Sequence, residues 1–188
     1  MQEIINKARE WAFAETEKFG TPYTGHLDLA FNVGQRLASE LGVNKDIVAI
    51  GTYLMDIKLG QARAEGKIES HIQMSVEATT AFLKEFDISE EVKEKIVNCV
   101  AGHHGTIKYN YLEAEICANA DCYRFLHPQG LFGYFILHGS RSIDFNSGLE
   151  KAIEKTEEKW NILSLDICKK ELETYYLSFK KLLGEAKK

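Results

Sequence analysis

The residues of this chain best suited to chemistry are histidines and aspartates set on apolar helical stripes. His26 precedes Ala30, Val33 and Leu37 at helical spacing, which turns its imidazole inward near a helix start. His103 continues the line Val92, Ile96 and Val100 and so reaches the core side at a helix end. His104 is its neighbour, about 100° further around if the helix continues. His71 lies just before the stripe of Met74 and Ala78. Asp56 follows the apolar run Ile50 to Met55, and Asp121 follows Ala118-Asn119-Ala120. Buried carboxylates are rare unless paired, hydrogen-bonded or bound to metal. Imidazoles with carboxylates form a ligand set for Mn, Fe, Co, Ni or Zn. Such an ion makes water a nucleophile near neutral pH.

Each residue also has a plain structural explanation. The stretch Gly102-His103-His104-Gly105 fits a helix C-terminus, where His suits the dipole. Asp56 could cap a loop, and Asp121 could pair with Arg124 three residues on. His127 and His138 have no evident partner and read as core residues bonded to backbone carbonyls. Taken together, these separate explanations account less well for so many inward polar groups.

The elements that must position these groups are helices. Two prolines, Pro22 and Pro128, leave long stretches free of breaks. Ile4, Ile5, Ala8, Trp11 and Ala12 mark a first helix, stopped at Gly20-Thr21-Pro22; Leu27 to Leu41 carries a second, ending at Gly42. Asn44 caps a third, with Ile47, Ile50 and Leu54 inside. Gly60 and Gly66 suggest a loop. Met74, Ala78, Phe82 and Phe86 line a fourth helix, Ser89 caps a fifth, and Leu112, Ile116, Ala120 and Tyr123 line a sixth. Leu131 to Leu137 fits a buried helix or a strand, and Ser140 to Gly148 reads as irregular. Two further helices follow, around Leu149, Ile153, Trp160 and Leu163, and around Leu172, Tyr175, Phe179 and Leu182; Gly184 to Lys188 should fray. The expected fold is all-α, with roughly seven to nine helices in one domain.

Composition narrows the function classes. A length of 188 residues suits one domain, and 45% hydrophobic with 27% charged residues excludes disorder. The net charge of −5 argues against a broad nucleic-acid surface. No apolar run reaches the roughly 18 residues of a membrane span, and the N-terminus lacks a signal pattern, so a cytoplasmic protein without a membrane partner is expected. Cys99, Cys117, Cys122 and Cys168 form no C-x-x-C pair and read as small core residues in a reducing compartment.

At its His and Asp residues the chain resembles the HD-domain superfamily of metal-dependent phosphohydrolases. The likeness is carried, in order, by Gly25-His26-Leu27, by Gly51 to Lys58 with Asp56, and by Glu69-Ser70-His71-Ile72. Val100 to Gly105 with His103 and His104, then Asn119-Ala120-Asp121-Cys122, complete it. The resemblance implies a single helical domain of this type over residues 1–188, with the motifs in 24–126 and further helices over 148–183. It implies a divalent ion (Mn, Fe, Ni, Co, Zn or Mg) and hydrolysis of a phosphate ester, such as a nucleotide, through metal-activated water. His26, Asp56 and Asp121 would hold one ion; His71, with His103 or His104, would serve a second position bridged by Asp56. Asp56, His71, His103 and His104 are thereby the expected catalytic group. Lys58 and Arg124 are candidates for meeting substrate phosphate.

One departure stands out. Met55 occupies the place of the His in the family's His-Asp pair. A thioether suits hard or borderline ions poorly. A three-ligand site completed by water, or a displaced single-ion site of Asp56, His71 and His103 or His104, remains open. If His26, Asp56 and Asp121 still converge on an ion, Met55→His is expected to strengthen metal binding.

Three readings follow. The first is a metal-dependent phosphohydrolase acting on a small phosphorylated substrate. The second is a degenerate, non-catalytic domain that binds a nucleotide or other small anion, favoured by Met55. The third is a partner-binding helical protein using Phe132, Tyr134 and Phe135, although most large aromatics bury. A nuclease is a variant of the first, opposed by the acidic balance. A homodimer is compatible with all of them.

Overall fold

A computed structural model describes residues 1–141 and 143–187. Among these residues there are ten α-helices, one 3-10 turn and no strand. They are α1 (Gln2–Phe19), α2 (Thr24–Leu41), α3 (Lys45–Leu54), α4 (Leu59–Ala64), α5 (His71–Leu83), α6 (Glu90–Gly102), α7 (Leu112–Leu126), α8 (Pro128–Ser140), α9 (Phe145–Ile162) and α10 (Asp166–Ala186). The 3-10 turn, Ile68–Ser70, leads into α5.

The helix α7 is the axle. It packs against α2, α3, α6, α8, α9 and α10, and every residue from Ile116 to Leu126 is buried. Its small residues Ala114, Cys117, Ala118, Ala120 and Cys122 let neighbours come close. At Gly51, in the middle of α3, an added Cβ would sit 2.6 Å from Cys99 Cβ and 2.9 Å from Cys117 Sγ. Gly51 therefore marks where α3 crosses α6 and α7 too tightly for any side chain. All four cysteines are buried and free, as core residues would be.

The caps and stops written in the sequence are present. Asn44 accepts from the amides of Asp46 and Ile47, and Ser89 accepts from Val92 N. Gly20 and Gly42 end α1 and α2 in the left-handed conformation.

Elsewhere the structure corrects the sequence expectation. The segment around Gly60 is the short helix α4, not a loop. Gly60 is needed for proximity, because a Cβ there would lie 2.6 Å from Phe19 Cβ. The buried line of α5 is His71, Ser75, Thr79 and Leu83, one residue round from the expected Met74, Ala78 and Phe82. Small hydroxyl residues allow the close approach, and Ser75 Oγ accepts from Lys58 N at 3.2 Å. The ambiguous run after Pro128 is the helix α8, with Pro128 at its first turn and the His127 ring accepting from Gln129 N. Phe132 in that run is exposed, whereas Tyr134 and Phe135 pack partly on a small second core with Leu131, Leu149 and Phe179. Ser140 closes α8, and Asp144 caps α9 through Ser147 N, so most of the stretch expected to be irregular is helical. Ser142 lies outside the described residues. At the C-terminus α10 continues through Ala186, and Lys188 lies outside the described residues. No described helix is long and apolar enough to cross a membrane.

Candidate metal centre

Four helix ends and turns deliver side chains to one point. Asp56 sits in the turn after α3, His71 opens α5, His103 follows the last residue of α6, and His104 follows His103. One ligand atom from each of these four residues lies within 4.8 Å of all the others. His103 Nε2 is 3.3 Å from Asp56 Oδ1, and His71 Nε2 is 3.7 Å from the same oxygen.

The state of these atoms matters more than their nearness. His71 Nδ1 donates to the Ile68 carbonyl and His103 Nδ1 to the Val100 carbonyl, each at 2.7 Å. A carbonyl can only accept, so both Nδ1 atoms carry a proton, and in its neutral form each ring presents a lone pair at Nε2. Asp56 Oδ1, His71 Nε2 and His103 Nε2 are all buried and make no hydrogen bond. With both rings neutral, three acceptors face one another with no donor between them, an arrangement relieved by a shared metal ion or by a proton on one imidazole. A first-row ion with bonds near 2.1 Å needs ligands roughly 3–4 Å apart, and the observed separations fit. Imidazole and carboxylate together favour Mn, Fe, Co, Ni or Zn over Mg.

Asp56 is held in its ionised form. Burial pushes its carboxyl up, but Arg124 and then His103 outweigh that and leave it well below the usual range. Arg124 Nη1 donates to Asp56 Oδ2 and to Asp121 Oδ1, both at 2.6 Å. The Lys159 ammonium, from α9, lies 2.6 Å from Asp121 Oδ2 as an ion pair outside hydrogen-bond alignment. Burial also pushes Asp121 up, and Lys159 and Arg124 bring it below its ordinary value. Both carboxylates are therefore matched by two equally buried cations. Sequence reading did not single out Lys159. Its signal was its place on the line Leu149, Ala152, Thr156 and Lys159, whose other members are buried core residues.

His26 is buried on α2, and its Nε2 donates to the Gly130 carbonyl at 2.7 Å. Burial, and next Arg124, lower its pKa to about 4, so the ring is neutral. The structure does not bring His26 or Asp121 into the four-residue group: Asp121 is engaged by Arg124 and Lys159, and the guanidinium lies between the two aspartates. Met55 is fully buried and does not line the cleft, and Asp121 is already engaged by Arg124 and Lys159. Met55→His is accordingly expected to leave Mn²⁺ affinity at the wild-type value; a clear gain in titration would overturn that expectation. Lys58 points away from the group, 3.6 Å from Glu15 Oε2 and over the Trp11 ring. His104 is the most open of the four, and burial, followed by His103, lowers its pKa to about 2. His127 stands apart as the cap of α8, and His138 is buried against Tyr134 with Nδ1 unpaired, not bonded to a carbonyl.

The group opens into a cleft with about 140 Å³ of water-accessible space. Asp56, His71, His104, Asp121, Arg124 and Lys159 line its inner part. Phe125, Tyr134 and Leu137 form an apolar wall, and Arg63, Arg141 and Lys155 stand around it.

Over 98 residues the chain is 32% identical to a ribonuclease Y of Finegoldia magna. That alignment covers 52% of this chain but only 17% of the relative. No protein-family profile matches the chain. No solved structure matches it either.

Proposed function

We propose that this chain is a metal-dependent phosphohydrolase of the HD-domain type, with one divalent ion held by Asp56, His71, His103 and His104. The observation that carries the reading is the convergence of three buried, unbonded acceptors at Asp56 Oδ1, His71 Nε2 and His103 Nε2. When bound there, an ion supplies activation of water and stabilisation of charge on phosphoryl oxygens. The protein's own part is orientation. The Ile68 and Val100 carbonyls accept from the Nδ1 atoms of two imidazoles and so fix the aim of each Nε2, as backbone carbonyls do behind metal-bound histidines. Arg124 holds Asp56 ionised and leaves Oδ1 free by taking only Oδ2. His104, uncharged at neutral pH, offers a lone pair at the cleft side. The cationic surround attracts phosphate, and the apolar wall can take the organic part of a small ester such as a nucleotide.

Two observations keep other substrates and roles in view. The partial likeness to a protein named as a ribonuclease favours a phosphodiester. Met55, together with the guanidinium between Asp56 and Asp121, favours a non-catalytic binder of nucleotides. The discriminating experiment is elemental mass spectrometry of untagged protein purified without chelator, followed by a hydrolysis panel of mononucleotides and an oligoribonucleotide. Near-stoichiometric Mn, Fe, Co, Ni or Zn with turnover of one class is the expected result. Protein that stays metal-free in excess Mn²⁺ and Ni²⁺ yet binds a nucleotide would replace this reading with the non-catalytic one.

A further inference from the structure

The cleft holds more positive charge than its aspartates need. Arg124 and Lys159 are matched by Asp56 and Asp121. Lys155 is matched by Glu158 at 2.5 Å. Arg63, at the end of α4, and Arg141, just after α8, have no such match. Among the described residues neither guanidinium pairs with a carboxylate; Arg141 instead donates to the Gly20 carbonyl at 2.6 Å. Both line the same cleft. They also repel: burial, and then the charge of Arg63, lower the pKa of Arg141. Two unmatched guanidiniums brought together on separate elements are unfavourable until an anion joins them, and the planar fork of Arg suits phosphate. Deeper in the same cleft, the buried Arg124 Nε makes no hydrogen bond.

We propose that Arg63 and Arg141 form a second anion subsite, so that the substrate carries a phosphate beyond the one presented to Asp56, His71, His103 and His104. The proposal rests on the phosphohydrolase reading of this cleft for its meaning, but the subsite itself needs no metal. The shared chemistry is two linked phosphates, supplied by a diphosphate or by a nucleic-acid backbone. The bounded cleft and the net charge of −5 favour the small diphosphate.

The test is calorimetric titration of the EDTA-treated chain with orthophosphate, pyrophosphate and a ten-nucleotide oligoribonucleotide. Pyrophosphate is expected to bind more tightly than orthophosphate. Arg63→Gln, an exposed change that leaves the Gly20 contact alone, and the double variant R63Q/R141Q should each weaken it. For the double variant the loss should be roughly ten- to a hundredfold, the range of charge-assisted hydrogen bonds. Tighter binding of the oligoribonucleotide, lost in the same variants, would support the subsite and assign the backbone as its source. Unchanged pyrophosphate affinity in both variants, or no pyrophosphate binding by the wild type, would overturn it. Mn²⁺ titration of the same variants separates the two ideas: an intact metal response alongside lost anion binding supports the subsite. Failure of Mn²⁺ to bind the wild type would sink the metal reading and leave the anion result to be judged alone.

Discussion

Replacing His103 by alanine is expected to weaken Mn²⁺ or Ni²⁺ binding by more than about 100-fold, since even indirect partners of metal ligands are worth roughly 10–100-fold each. The imidazole lost is fully buried and supplies one of three unbonded acceptors around the centre. Hydrolysis, if carried by that ion, should fall with it. Competition against a coloured chelator reads the affinity directly. His127→Ala is the matching control, because His127 caps α8 away from the group, and it should keep wild-type affinity. Wild-type metal affinity in the His103 variant would remove that residue from the ligand set.

Replacing Arg124 by leucine should produce a large loss of stability. One nitrogen of Arg124 bonds two buried carboxylates, and removing it leaves Asp56 without a cation and Asp121 with Lys159 alone. Breaking a buried ion pair from one side costs about 3–5 kcal/mol. At about 2–4 °C per kcal/mol for a chain of this size, the melting temperature should drop by roughly 6–20 °C. Scanning calorimetry in EDTA measures it. Added Mn²⁺ should then recover more of the loss in the variant than it adds to the wild type, because two carboxylates have become available. A melting temperature within about 2 °C of wild type would show that the guanidinium does not hold the aspartates as the distances imply.

The helical architecture was readable because apolar periodicity, Asn44, Ser89 and two terminal glycines all agree on it. The four residues of the centre were readable as inward polar groups for the same reason: His103 extends an apolar stripe, and Asp56 follows one. What could not be read was partnership. Whether Asp121 faces an ion or a lysine depends on α9, far along the chain, and Lys159 looks like one more charge in a run of Lys and Glu. Gly60 suggested a loop because its role as a spacer for Phe19 is invisible without the neighbouring helix, whereas Gly66 does lie in a turn, after α4, in the left-handed conformation. The α5 face was misjudged by one residue because Ser75 and Thr79, polar by type, bury where small volume counts more than polarity.

The reach of Lys159 into the centre bears on how this chain could be cut or recombined. Every residue that carries the family likeness lies before α8, so that stretch looks like a transferable module. A fragment ending there would leave Asp121 with half of its compensating charge missing, and Asn119 and Tyr123 without their partners Ser164 and Glu171. The helices without motifs are thus not an appendage to the motif-bearing part. Gene fusions, truncations or domain swaps that treat residues 24–126 as autonomous would separate an acid from its base.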